Sequence, residues 1–188
     1  MSLELAIVVA TINGDKLAPK LTDSLKYKHW ISIKDNSRCV ECKNKHGKIY
    51  LITEEPNQSP PIHRKCRCFI KPMQAIEAGT ATIYGINGAD WNLVFKGQLP
   101  DYYISKEQAE MCGWKSGKWL SNFALNKVIT KGQYYNDDAR LPQAEGRIWH
   151  EADINYKTGR RNNQRILWSN DGLIFVTYDH YKTFYEII

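Results

Sequence analysis

No stretch of this 188-residue chain approaches the run of roughly 20 apolar residues that crosses a bilayer. The segment LELAIVVA (Leu3–Ala10) is too short for that, and it lacks the basic leader of an ordinary signal peptide. A short helix or strand is expected there, in a chain that is either cytosolic or carried as part of a larger exported protein, and no membrane partner is expected. Internal repeats and low-complexity tracts are also missing, which excludes a solenoid or a disordered polar tract. Cysteine is sparse, five in all, and four of the five fall between Cys39 and Cys68. Acidic residues are outnumbered, 20 against 26 Lys and Arg, leaving a formal charge of +6. That excess lies in front: residues 1–100 carry 14 basic and 9 acidic side chains, residues 101–188 carry 12 and 11. Such a balance suits a polyanionic partner, and it equally suits a well-solvated surface.

What is present describes a folded protein. Hydrophobic residues make up 43% and charged residues 24%, both ordinary, while aromatics reach 12%, enough to serve stacking as well as a core. The length suits one domain or two small ones, and two are expected. Composition marks the divisions. Residues 3–28 are loosely amphipathic, and the middle, Trp30 to Pro72, holds four of the seven prolines with the cysteines and many cations. The small-residue stretch IEAGTATIYGINGAD (Ile76–Asp90) reads as a linker or a hairpin turning at Asn87-Gly88. The expected division is 1–75, a linker over 76–98, and a second domain over 99–188. In that domain LPDYYISKEQAEMCGW offers Ser105 as an N-cap with Glu107 and Gln108 in the first turn, predicting a helix over Lys106 to Met111 that Gly113 ends. The tail alternates β-branched and aromatic residues with polar ones. A turn at Asn170-Asp171-Gly172 separates two of its strands, and YDHYKTF (Tyr178–Phe184) reads as an edge strand. The fold class is α+β, helices first and then an antiparallel sheet.

Cys39 and Cys42 are spaced C-x2-C, and His63, Cys66 and Cys68 follow about twenty positions later. Zinc takes four nitrogen or sulfur ligands, and a segment this rich in proline and charge gains folding free energy from such a staple. Cys39, Cys42, His63 and Cys66 are the expected ligands, with Cys68 a substitute in the second pair; disulfides and free thiols are the alternatives. A filled Cys/His tetrahedron leaves no open position for catalytic water, so zinc here would be structural. The pattern WISIKDNSRCVECKNKHGKIY…PPIHRKCRCFIKP resembles the C-terminal segment of phage minor head proteins of the Mu F type, which also precedes toxin domains in bacterial polymorphic toxins. That resemblance covers about forty residues and implies a structural or pre-toxin role.

Four motifs in the back half, LPDYYISKEQAEMCGW, GRIWHEADINY, GRRNNQRIL and YDHYKTF, resemble the barnase-type microbial ribonucleases in the same order and with nearly the same spacing. Cleaving RNA through its own 2′-hydroxyl requires a base for that proton, an acid for the departing 5′-oxygen, and cations about the phosphate. The resemblance implies the microbial ribonuclease fold and a metal-independent endoribonuclease acting on single-stranded RNA through a 2′,3′-cyclic phosphate. It assigns Glu151 as general base and His180 as general acid. Lys106, Arg161 and Arg165 become phosphate and transition-state stabilisers, and Tyr181 shapes the site. Strand alternation places Glu151 and Asp153 on one sheet face and His150 on the other; Asp153 is expected to bond a turn.

The stretch KSGKWLSNFALNKVITKGQYYNDDARLP departs from the family pattern. Gly132 stands where an Asp normally neighbours the catalytic Lys and Glu, which puts the usual rate in doubt. Asn136 is kept, Asp138 offers a carboxylate to guanine, and Asp137 replaces the family's arginine. The setting implied is a secreted or carrier-delivered toxin acting in a target cell's cytoplasm, paired with a barstar-like inhibitor. The competing expectation is a nucleic-acid-binding or phage-head-associated protein that keeps the fold with little or no catalysis.

Overall fold

The alternation of residues 149–177 becomes three neighbouring strands in the computed structural model, which describes residues 11, 12 and 15–188. The expected element at Leu3–Ala10 lies outside these residues. Strands β1 (Thr11–Ile12) and β2 (Asp15–Lys16) pair briefly. Then β3 (Tyr27–Ile31), α1 (Val40–Lys45), β4 (Ile49–Leu51) and β5 (Phe69–Met73) build a three-stranded antiparallel sheet ordered β4-β3-β5. Residues 52–68, which include His63 and Cys66, form neither helix nor strand.

The second sheet has six strands: β6 (Tyr103–Ile104), β7 (Val128–Tyr134), β8 (Trp149–Asp153), β9 (Arg165–Ser169), β10 (Ile174–Thr177) and β11 (Tyr185–Glu186), neighbours in that order. The sheet is antiparallel except between β6 and β7, which run parallel. Helix α3 (Lys106–Met111) keeps its expected bounds because Ser105 and Gln108 cap each other reciprocally. The turn at Asn170–Gly172 joins β9 to β10 as expected.

Two expectations require correction. The stretch read as a linker holds helix α2 (Ala89–Lys96) within residues 76–98. Gly88 is the residue before that helix rather than part of a hairpin turn. The Asp90 carboxylate fixes the approach, accepting from the Gly79 and Ala81 N–H groups at 2.7 and 2.9 Å. Ala89 and Leu93 pack with Ile154, Ile166, Ile174 and Val176 in one core. The second correction is that Tyr178–Phe184 is a loop, with His180 and Tyr181 both in the left-handed region (φ 59 and 64). Asp179 holds that loop shut, one oxygen accepting from the N–H groups of Lys182 (3.1 Å) and Thr183 (2.9 Å).

Pairing and alternation assign the faces of the large sheet. Ala152, Ile166 and Val176 look toward α2, and His150 stacks on Trp168 on that side, 5.5 Å between rings. Trp149, Leu167 and Phe175 look the other way and share a core with Tyr27, Ile49 and Met73 of the small sheet. Glu151, Asp153 and Arg165 lie on this second face by the same alternation. The N-terminal segment therefore covers one part of the face and leaves the rest to these charged residues. Among the described residues, no helix is long and apolar enough to cross a membrane.

Candidate active site

A buried carboxylate requires partners, and Glu151 has two. The Tyr181 hydroxyl donates to Oε2 at 2.6 Å, and the Lys131 ammonium lies 2.9 Å from Oε1. Lys131 also reaches the Tyr181 hydroxyl, 3.3 Å away. Burial and the Glu151 carboxylate push the Tyr181 hydroxyl well above its ordinary pKa, so it stays protonated as a donor. Its ring stacks on Tyr134 at 5.5 Å, and the neighbouring His180 ring lies 4.8 Å away. His180 is exposed, and its N–H is fixed to the Asn163 carbonyl at 3.0 Å.

Sequence reasoning passed over Lys131. It is the extra residue of a β-bulge: Thr130 faces Ala152 and Gly132 faces Glu151, so Lys131 has no partner in β8. Gly132 adopts φ 79, which only glycine takes easily, while a Cβ there would meet nothing within 4 Å. The bulge turns a side chain out of the regular alternation toward its neighbour's carboxylate. A glycine inside a strand pattern is the one local signal that could have indicated it.

Asp153 is the second anchor. Rather than bonding a turn, its carboxylate, 2% exposed, pairs with both arginines. Arg161 donates to it from Nε and, at 2.7 Å, from Nη2. Arg165 Nε lies 3.0 Å away, but its N–H is not aimed along that line, so this contact is ionic rather than a hydrogen bond. The Arg165 Nη1 group donates to the carbonyls of Asn162 and Gln164, each at 2.7 Å. The Asp153 carboxylate raises the Arg161 pKa further, which keeps the guanidinium charged. Glu151, Arg161, Arg165 and Tyr181 thus come together.

The other expected residues are placed differently. Lys106 opens α3, exposed, with Glu110 one turn on at 3.7 Å; the cation touching Glu151 is Lys131. Asn136 uses its side chain to close its own loop, accepting from the Arg140 and Leu141 N–H groups and donating to the Leu141 carbonyl at 2.8 Å. It therefore shapes the loop rather than offering free groups to a base. Asp138 is open, 78% exposed, with Arg140 Nε 3.5 Å away.

All five cysteines are free thiols, and four of them, Cys39, Cys42, Cys66 and Cys68, lie at the N-terminal end. Cys39, Cys42 and His63 form one group of donor atoms close enough to hold a metal, and Cys42, Cys66 and Cys68 form another. The donor set suits structural zinc.

Comparison with known proteins gives this geometry a relationship. A family described as ribonuclease matches residues 92–188. A ribonuclease of Heyndrickxia coagulans is 47% identical over 100 residues, covering 53% of this chain and 91% of that protein. Ribonucleases of Bacillus intermedius and Bacillus pumilus are 47% identical over 100 residues each, and there the match spans 61% of their length.

Proposed function

Because the chain belongs to the ribonuclease family, we propose that it is an endoribonuclease that cleaves single-stranded RNA by transphosphorylation. Glu151 takes the proton of the 2′-hydroxyl. As the 2′-oxygen bonds to phosphorus, the bond from phosphorus to the 5′-oxygen breaks, and His180 protonates that leaving oxygen. The product is a 2′,3′-cyclic phosphate. Arg161, Arg165 and Lys131 face the negative charge that accumulates on the phosphate, and Lys106, whose described partner is Glu110, adds a cation to it only once RNA is bound. Lys131 and Tyr181 already occupy Glu151, so bound RNA has to share that carboxylate with them. Nothing in these steps calls for a metal.

The observation that carries this reading is the Tyr181–Glu151 hydrogen bond, which ties the loop bearing His180 to the buried carboxylate. The test incubates RNA with the purified chain without added divalent ions. Glu151→Ala and His180→Ala are expected to lower kcat/KM by about 10²- to 10⁴-fold each. Cleavage that both variants leave intact would sink the assignment. Salt-sensitive RNA binding without turnover, unchanged in His180→Ala, would favour the binding-protein reading instead.

The same reading gives the chain a setting. An active ribonuclease threatens the cell that makes it, so a barstar-like inhibitor with an acidic surface would complement Lys131, Arg161 and Arg165. Delivery as the toxic end of a larger exported protein fits a ribonuclease region preceded by a Cys/His segment of phage-head or pre-toxin type. Asp138 is the carboxylate available to the Watson–Crick edge of a guanine.

A further inference from the structure

The Cys/His cluster is joined to the loop that carries His180 by an unbroken run of contacts. Cys42 Sγ lies 3.1 Å from His63 Nε2 and 3.8 Å from Cys66 Sγ, and Cys39 Sγ lies 3.3 Å from the same His63 nitrogen. Around one zinc, sulfur–sulfur and sulfur–nitrogen edges of roughly 3.8 and 3.6 Å follow from tetrahedral bond lengths, so Cys39, Cys42 and His63 need little movement to share an ion, and Cys66, grouped with Cys42 and Cys68, has to close on the other two. Cys39 caps the start of helix α1, its sulfur accepting from the Cys42 N–H, and His46 caps its end.

Immediately beyond, the chain meets the catalytic loop. Gly47 approaches so closely that a Cβ would sit 2.7 Å from the Lys182 carbonyl oxygen. Arg140 completes the joint: its Nη1 donates to the carbonyls of His46 (3.4 Å) and Tyr181 (3.2 Å), and its own carbonyl accepts from the Ile49 N–H at 2.9 Å. The same arginine closes the Asn136 loop through its N–H. Residues 47–49 are also held by β3, where Gly47 N–H donates to the Trp30 carbonyl and Trp30 N–H to that of Lys48, whereas residues 52–68, which bring His63 and Cys66 to α1, have no regular structure of their own.

We propose that zinc bound by Cys39, Cys42, His63 and Cys66 is the staple that presses residues 46–49 against residues 178–184, making metal occupancy of the N-terminal segment a determinant of how well His180 and Tyr181 are positioned. The ion takes no part in proton transfer. Arg140 is the positioning residue through which the two regions meet. The inference rests on the reading that this loop carries the acid.

The test follows three forms of the full chain, zinc-loaded, chelator-stripped and reloaded, by elemental analysis, amide hydrogen exchange and dinucleotide cleavage. The reporters are four amides of the loop: His180 bonded to Asn163, Tyr181 to Thr177, and Lys182 and Thr183 to Asp179. One zinc per chain is expected, and stripping should speed exchange at these amides by about tenfold or more. It should lower kcat by about tenfold, with KM changing less, and zinc but not magnesium should restore both. Arg140→Ala, which leaves the metal ligands untouched, should keep its zinc and show the same loop exchange and kcat loss, with partial recovery in Arg140→Lys. It remains decisive if the stripped chain unfolds. A chain that binds no zinc, or an Arg140→Ala variant with unaltered loop exchange, overturns the proposal. A wild-type chain that protects the loop when zinc-loaded yet never cleaves RNA would instead refute the catalytic reading alone.

Discussion

Replacing Asp153 by Asn removes one negative charge from between two guanidinium groups while changing the shape of the side chain very little. Asp153 is 2% exposed and Arg165 5%, with 3.0 Å between the nearest charged atoms, so solvent screens this contact poorly. A pair at that distance attracts by about 5 kcal/mol at an effective dielectric constant near 20. The desolvation already incurred offsets much of this, and removing one partner from a buried pair costs about 3–5 kcal/mol because the remaining charge stays buried. Arg161, 30% exposed, can turn outward and soften the loss, whereas Arg165 cannot. Asp153→Asn is therefore expected to destabilise the chain by about 3 kcal/mol or more, a fall in Tm of roughly 6–20 °C for this size. Urea denaturation at pH 7 measures it directly. Cleavage assayed well below the transition should also fall, because the guanidiniums lose the carboxylate that orients them. A loss below about 1 kcal/mol would refute the claim that Asp153 anchors the arginines, since that is the scale of an exposed pair.

Lys131→Ala tests the bulge cation: kcat/KM should fall by about 10- to 100-fold. Stability should fall less than in Asp153→Asn, because the Tyr181 hydroxyl still donates to the buried Glu151 carboxylate; unchanged kcat/KM would leave Lys131 a purely local partner of Glu151. Acid should weaken the fold as well. Burial, the larger cause, and neighbouring cations lower His29 and His46 from 6.5 to about 4. Between those values the unfolded chain binds protons that the folded chain refuses, so stability is fullest above pH 6.5 and falls as pH drops toward 4. By pH 5 the loss is at most about 2 kcal/mol per histidine. Urea midpoints at pH 7.5 and 5, with zinc in excess, should separate less in His29→Gln and His46→Gln than in the parent chain; equal separations would exclude these two as the cause.

The elements legible from sequence were those whose cause is local. Ser105 and Gln108 sit three apart and cap α3 wherever it packs, and Asn170-Asp171-Gly172 makes its turn without tertiary help. Alternation placed Glu151 and Asp153 on one face, but it does not say which side chain crosses to meet them, and the arginines on Asp153 come from the far side of a turn. Helix α2 was hidden because Asn87-Gly88 is a turn signal that a helix start can use equally well. Its hold on residues 79–81 comes through Asp90, which no periodicity reports. Residues 178–184 alternate like a strand, yet Asp179 satisfies the amides of Lys182 and Thr183 locally and leaves them none to offer a sheet. Lys131 depends on a registry offset in β7, a property of two strands together.

That offset has an implication for how the charge at Glu151 can be altered. On either side of it, Thr130 with Ala152 and Gly132 with Glu151 are successive rungs of an otherwise continuous ladder. Lys131 is thus supernumerary: excising it would let the rungs close up without exchanging inward for outward side chains anywhere else along β7. The ammonium beside the carboxylate is an addition to the ladder rather than a replacement within it, so one codon gained or lost could change the site's charge while Tyr134 kept its place opposite Trp149.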